Sequence, residues 1–136
     1  VKAGAVPAKL DERLHFNDTP AKLRLWGRCM ARVRPVGARA ALSWITRDDF
    51  RETGALESDT EGLINMLTHM KGADVTVMVS EVEGCLRCSV RSRGPVSAQA
   101  IAAKWNGGGH RYAAGCKIYL PLEEGLKALE EELSRV

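Results

Sequence analysis

Three glycines in succession, Gly107-Gly108-Gly109, restrict what the second half of this chain can fold into. Without a Cβ they leave bare main-chain amides, so another strand or a ligand can approach the backbone closely. His110 and Arg111 follow at once, then the small residues Ala113, Ala114 and Gly115. Apolar segments on both sides place the run inside a folded domain. The bare amides, the imidazole and the small residues suit an anion held close to the main chain. A short helical turn through His110 to Ala114 is expected here, its first amides aimed at phosphate. The competing reading is a tight connection where two helices pack. No Gly-Lys-Ser/Thr follows, so the run is not a P-loop; it follows a helical pattern, so it is not a dinucleotide fingerprint.

A second stretch, Cys88-Ser89-Val90-Arg91-Ser92-Arg93, alternates as a strand. Leu86, Cys88 and Val90 share one face, leaving Arg87, Ser89 and Arg91 on the other. Arginine suits phosphate because its planar fork holds two oxygens; a solvated edge strand is the plainer alternative. Cys85 and Cys88 do not read as a metal pair, because residues three apart on a strand point to opposite faces and no second Cys-x-x-Cys exists. His15 and His69 stand alone without ligand spacing. Asn65 and His69 lie one helical turn apart and offer a polar rim. No Asp/His cluster at metal spacing and no Gly-x-Ser-x-Gly elbow is present. Phosphoryl hydrolysis usually needs a metal or a strong base, so the residues describe a phosphate binder better than a self-sufficient catalyst.

Periodicity orders the rest. Asp18 or Thr19 caps a helix with Pro20 at its first position, carrying Leu23, Trp26 and Met30 on a stripe. Arg34 to Gly37 breaks it. Ala38 to Ile45 alternates as a strand, with Ala40, Leu42 and Trp44 on one side. Thr46 and Asp49 have the spacing of a capping box. Asp59-Thr60-Glu61 opens a helix with Leu63, Ile64, Leu67 and Met70 on its apolar face. Val75–Ser80 and Leu86–Arg91 read as a hairpin turning at Glu83-Gly84. Ser97 caps a helix bearing Ala98, Ile101, Ala102 and Trp105, which Asn106-Gly107 ends. A strand over Cys116–Leu120 and a helix with Leu122, Leu126, Leu129 and Leu133 complete an α/β chain: a mixed β-sheet flanked by helices, preceded by a helical linker.

At 136 residues the chain favours one domain. Its net charge of +3 is too mild to indicate nucleic acid by itself. The basic residues of the first third and the acidic ones near the end read as solvated helix faces. No apolar run reaches membrane-spanning length and no signal peptide is visible. The opening Val1-Lys2 reads as that of a fragment. Four cysteines, Cys29, Cys85, Cys88 and Cys116, are expected to be reduced thiols in a cytoplasmic protein.

The segment Ile101-Ala102-Ala103-Lys104-Trp105-Asn106-Gly107-Gly108-Gly109-His110-Arg111-Tyr112-Ala113-Ala114-Gly115 resembles the signature of the DHH-associated C-terminal domain, the second half of many DHH-family phosphoesterases. Ser89-Val90-Arg91-Ser92 is similar to that domain's Ser-x-Arg-Ser strand, and Asp59 to Asn65 to the helix that opens it. Leu42 to Phe50 looks like its lead-in strand and turn. The resemblance covers residues 19 to 120 and points to the short two-domain enzymes that degrade oligoribonucleotides and dephosphorylate 3′-phosphoadenosine 5′-phosphate. It implies a full enzyme that depends on manganese, with its metals in an N-terminal domain bearing Asp-His-His. No Asp-His-His occurs here, so neither metal ligands nor catalytic residues are expected in this chain, which alone would be inactive. Residues 1–34 would be linker helices or the end of that missing catalytic domain, and residues 35–136 the substrate-binding domain. By the same resemblance Ser89, Arg91, Ser92, Gly107, Gly108, Gly109, His110 and Asn65 would touch a phosphate-bearing nucleotide or short RNA. The rival is an RNA-binding module related to the C-terminal domain of alanyl-tRNA synthetases. A third reading is an association domain with the terminal leucine stripe as a homodimer face, although a core-facing helix explains the stripe more cheaply.

Overall fold

In the computed structural model, which describes residues 18–136, six strands form one mixed sheet. They are β1 (Arg34–Val36), β2 (Ala40–Ile45), β3 (Val75–Val82), β4 (Cys85–Ser92), β5 (Gly108–His110) and β6 (Ala113–Ile118). Their order is β1-β2-β3-β4-β6-β5, with β2 and β3 parallel and every other pair antiparallel. The helices are α1 (Pro20–Arg32), α2 (Arg47–Thr53), α3 (Leu63–Leu67), α4 (Ala98–Ala103) and α5 (Leu122–Leu133). The expectations placed on residues 1–17, His15 among them, lie outside the described residues.

Alternation along the strands builds two cores, one on each face. Leu42, Val77, Val79, Leu86, Cys88, Val90, Cys116 and Ile118 face one way and are covered by Ile101 and Ala102 of α4 and by Leu126, Leu129 and Leu133 of α5. The terminal leucine stripe is therefore core. Ile45 and Met78 face the other way, under Leu25 and Cys29 of α1 and Leu63, Ile64 and Leu67 of α3. This second helical layer lies mainly over β2 and β3, and α3 reaches the near edge of β4. The strand residues of the second core come from β2 and β3 alone.

The α1 stripe differs from the expected one. Leu25 and Cys29 are fully buried, while Leu23 and Met30 are 56% and 38% exposed. Ala21, Leu25, Cys29 and Val33 recur every fourth residue, and a cysteine in that series packs as a small apolar side chain. Arg34–Val36, expected only to break the helix, forms an edge strand paired with β2. Pro35 fits an edge because no partner needs its missing N–H. The helix expected from Asp59 is divided: Glu57–Thr60 is a 3-10 turn, closed by the Asp59 carboxylate accepting from the Leu56 amide at 2.8 Å, and α3 starts only at Leu63, after Gly62 at φ 87°.

The capping box is present: the Thr46 side chain accepts from the Asp49 amide, and the Asp49 carboxylate accepts from the Thr46 amide. Asp49 is 2% exposed and also receives both Arg28 and Arg32 from α1. Burial alone would raise its pKa, but the Arg32 guanidinium, the Thr46 amide and Arg28 more than offset that and hold the carboxyl well below its ordinary value. The Trp26 indole N–H donates to the Asp59 carbonyl at 2.7 Å, which pins α1 a second time. Residues 20–32 thus share the second core.

Candidate functional site

Beyond the second core β4, β6 and β5 run side by side, and the glycine run is part of that half of the sheet. The helical turn expected through His110 to Ala114 does not form. Gly108–His110 is a strand, Arg111 and Tyr112 make the turn, and the return strand begins at Ala113, three residues before the expected start at Cys116. Alanine's helical preference is weak beside a full ladder of pairing to β4. No helix N-terminus is therefore available to the anion, and the phosphate argument passes to side chains on a sheet face.

Register assembles that face. Arg91 is opposite Ala113, and Ala113 is opposite His110. One step along, Ser89 is opposite Gly115, and Gly115 is opposite Gly108. Directly paired residues project to the same face. Val90, Cys88 and Ala114 go into the buried core, so Arg91, Ala113, His110, Ser89, Gly115 and Gly108 all point to the open side. The result is a floor of Gly108, Ala113 and Gly115, almost without side chains, rimmed by Ser89 and Arg91 on one side and His110 on the other. Two interstrand steps separate Arg91 and His110, about 10 Å between their backbones. Long side chains from both rims reach over a floor of that width.

Each glycine of the run has its own reason. A Cβ on Gly107 would collide with the Gly115 carbonyl and lie 2.6 Å from the Cys116 Cβ. Gly109 has φ +143°, and its Cβ would lie 2.6 Å from the Ala113 carbonyl oxygen. Both are demanded by chain packing. Gly108 is not: a Cβ there meets nothing within 4 Å. Its bareness serves no intramolecular contact, and it faces the floor. The left-handed conformation expected where α4 ends falls on Asn106, at φ 59°.

Arg91 is half-buried and donates to the Val90 carbonyl at 3.2 Å, and among the described residues it has no carboxylate partner. Glu57 and Glu61 line a cavity with it and Ser89 but do not pair with it, so its planar fork is open to an incoming anion. Asn65, exposed on α3, borders a cavity of about 380 Å³ with Thr68, His69, Thr76 and Arg91. The structure thus brings Asn65 alongside Arg91. Ser92 is placed differently: its hydroxyl donates to the Arg111 carbonyl at 3.3 Å and accepts from the Ala98 amide at 2.9 Å. It ties the hairpin turn to the start of α4 and, outside the two rows, borders the same cavity as Asn65 and Arg91. Ala113 and Gly115 were not singled out from the sequence as site residues in their own right. Their signal is small residues at period two, legible only once the stretch is known to be a strand.

Among the described residues no three His, Cys, Asp or Glu side chains gather as a metal site. The four cysteines are free, and Cys88 and Cys116 face each other across β4 and β6 inside the core. No described helix is long and apolar enough to cross a membrane.

A family described as the DHHA1 domain matches residues 40–135. The chain is 35% identical over 138 aligned positions to the bifunctional oligoribonuclease and PAP phosphatase NrnA of Thermus thermophilus, covering 97% of this chain and 41% of that protein. The chain therefore spans about two fifths of that relative's length. Among solved structures it is similar to an exopolyphosphatase-related protein from Bacteroides fragilis, with a TM-score of 0.84 at 23% identity over 95% of this chain and 39% of the other. It is also similar to the C-Ala domain of Aquifex aeolicus alanyl-tRNA synthetase, with a TM-score of 0.53 at 20% identity over 76% of this chain and 98% of that one.

Proposed function

The chain belongs to the DHHA1 domain family, and on that premise we propose that it is the substrate-holding half of a manganese-dependent phosphoesterase acting on short oligoribonucleotides or 3′-phosphoadenosine 5′-phosphate. The observation that carries this is the pair of rows Arg91–Ala113–His110 and Ser89–Gly115–Gly108 on the sheet face away from the first core. A phosphate rests on the bare floor, takes two hydrogen bonds from the Arg91 fork and one each from Ser89 and His110. Asn65 reaches the sugar or base beside Arg91. Charge-assisted bonds of this kind are the strong ones. Their binding energy fixes the scissile phosphate against a catalytic domain that precedes this one. The described residues offer no donor set that fits manganese; in this reading the metal belongs to the preceding domain and this half positions the substrate for it. A cytoplasmic setting with reduced thiols goes with this reading.

The test uses the one glycine of the run that packing does not require. Gly108→Val is expected to leave thermal unfolding within a few degrees of the parent, since valine suits a strand and meets open space. It is expected to weaken binding of 3′-phosphoadenosine 5′-phosphate about tenfold, a loss of ~1.4 kcal/mol, because its methyls occupy the phosphate position. Gly109→Ala, by contrast, is expected to destabilise the hairpin. Undiminished titration heats with Gly108→Val would remove the proposal. The alternative of an RNA-binding module rests on the likeness to the C-Ala fold; it predicts steep salt dependence with long RNA and no binding of mononucleotides.

A further inference from the structure

The phosphate cradle uses two of the three rows that β4 and β6 share on the open face. In the third, Arg87 stands directly opposite Lys117. Like charges facing each other across antiparallel strands cost sheet stability. The fold offsets that cost only in part, through one exposed carboxylate. Arg87 is 61% exposed and reaches only Glu57, at 3.6 Å. Lys117 is exposed and has no carboxylate partner among the described residues. Beside them the face opens into a cavity of about 670 Å³, whose walls include Trp105 and Tyr119. Tyr119 is 73% exposed. Because β5 pairs only with Ala113–Gly115, the edge of β6 from Cys116 onward is unpaired and leaves this space free. Ser89 and Gly115 line the cavity and also belong to the cradle, so the two are continuous.

We propose that Arg87, Lys117 and Tyr119 form a second nucleotide subsite, the two cations on a neighbouring phosphate and the tyrosine ring under a base. The ligand is then a single-stranded oligonucleotide lying along β4 and β6, with a mononucleotide filling the cradle alone. The subsite rests on the proposed role of the cradle and extends it. Two residues along a strand advance about 6.7 Å, a step comparable to that between successive phosphates of an extended strand. Cations interleaved with an exposed aromatic are the pattern that holds single strands regardless of sequence. An anion of one phosphate needs no such extension, whereas a chain of them neutralises the Arg87–Lys117 repulsion.

Pentaadenylate and 3′-phosphoadenosine 5′-phosphate are to be titrated against the parent chain, the double variant Lys117→Gln/Tyr119→Ala, and Arg91→Ala. All three substituted side chains are exposed or half-buried, and circular-dichroism melts verify folding. The double variant is expected to bind pentaadenylate about tenfold more weakly and with a shallower salt slope, and to bind the mononucleotide within about twofold of the parent. Unchanged pentaadenylate binding in the double variant, while Arg91→Ala loses both ligands, overturns the second subsite and leaves the cradle standing. Equal loss of both ligands in the double variant overturns it as well, since the residues would then belong to the cradle. Failure of Arg91→Ala to weaken either ligand overturns the cradle and the subsite together.

Discussion

Asp49→Ala is expected to lower folding stability by about 3 kcal/mol, a drop in melting temperature of roughly 10 °C. This one carboxylate carries three jobs. It closes the capping box of α2, it receives Arg28 at 3.1 Å, and it receives the Arg32 guanidinium at both oxygens. Loss of a cap alone costs about 1 kcal/mol. The remainder comes from Arg32, left with only the Trp44 carbonyl, whereas Arg28 keeps Glu52. Because both arginines belong to α1, that helix should become the first site of proteolysis in the variant. The pH dependence has a definite sign. The folded carboxyl titrates below its ordinary value of 3.8, so its contribution is complete at neutral pH and is lost as pH falls below about 4 towards the folded value. Urea unfolding of the parent minus that of Asp49→Asn should therefore shrink through that acidic window. A difference that stayed constant down to acid, or grew, would refute the assignment.

Arg91→Ala is expected to reduce affinity for 3′-phosphoadenosine 5′-phosphate by roughly 10- to 100-fold, a loss of about 1.5–3 kcal/mol for charged hydrogen bonds removed from a partly buried position. Stability should stay close to that of the parent, because the side chain's own bond is to the adjacent Val90 carbonyl. Arg91→Lys should recover only part of the loss, since an ammonium keeps the charge but not the planar fork. His110→Ala should cost less, its imidazole being exposed at the rim. Isothermal titration separates these outcomes. Full affinity in Arg91→Ala would show that the open face of β4 is not where the anion sits. Together with Gly108→Val, this variant probes opposite edges of one floor, so the two losses should be less than additive if they share a phosphate.

Much of the molecule was legible because it depends on spacing along the chain. Leu86, Cys88 and Val90 are buried and Arg87 and Arg91 are not, as alternation demands. Thr46 and Asp49 form the box that their separation suggests. Ser97 caps α4, with its hydroxyl accepting from the Ala100 amide at 3.1 Å. The misreadings share a cause. Ala113-Ala114 has the composition of a helix and becomes a strand, because pairing with β4 satisfies its backbone and buries Ala114. Leu23, Trp26 and Met30 share one helical spacing, yet only Trp26 of them packs on the second core, while Leu25 and Cys29 point at the sheet. Spacing along a helix does not say which stripe meets a partner when two stripes are available.

What the order of residues determined by itself is the kind of chemistry: glycines that clear a surface, an arginine and a serine on the outward face of a strand, a histidine after the glycines, and an α/β alternation to carry them. Where those groups meet was decided by strand register, which no local pattern encodes. Only when Ala113 falls between Arg91 and His110, and Gly115 between Ser89 and Gly108, does a bare floor with a polar rim exist. A shift of one residue in that pairing would turn the same side chains into the core. The register is held by burial of Val90, Ala114, Cys116 and Ile118 against α4 and α5, which are contacts between residues distant in the chain.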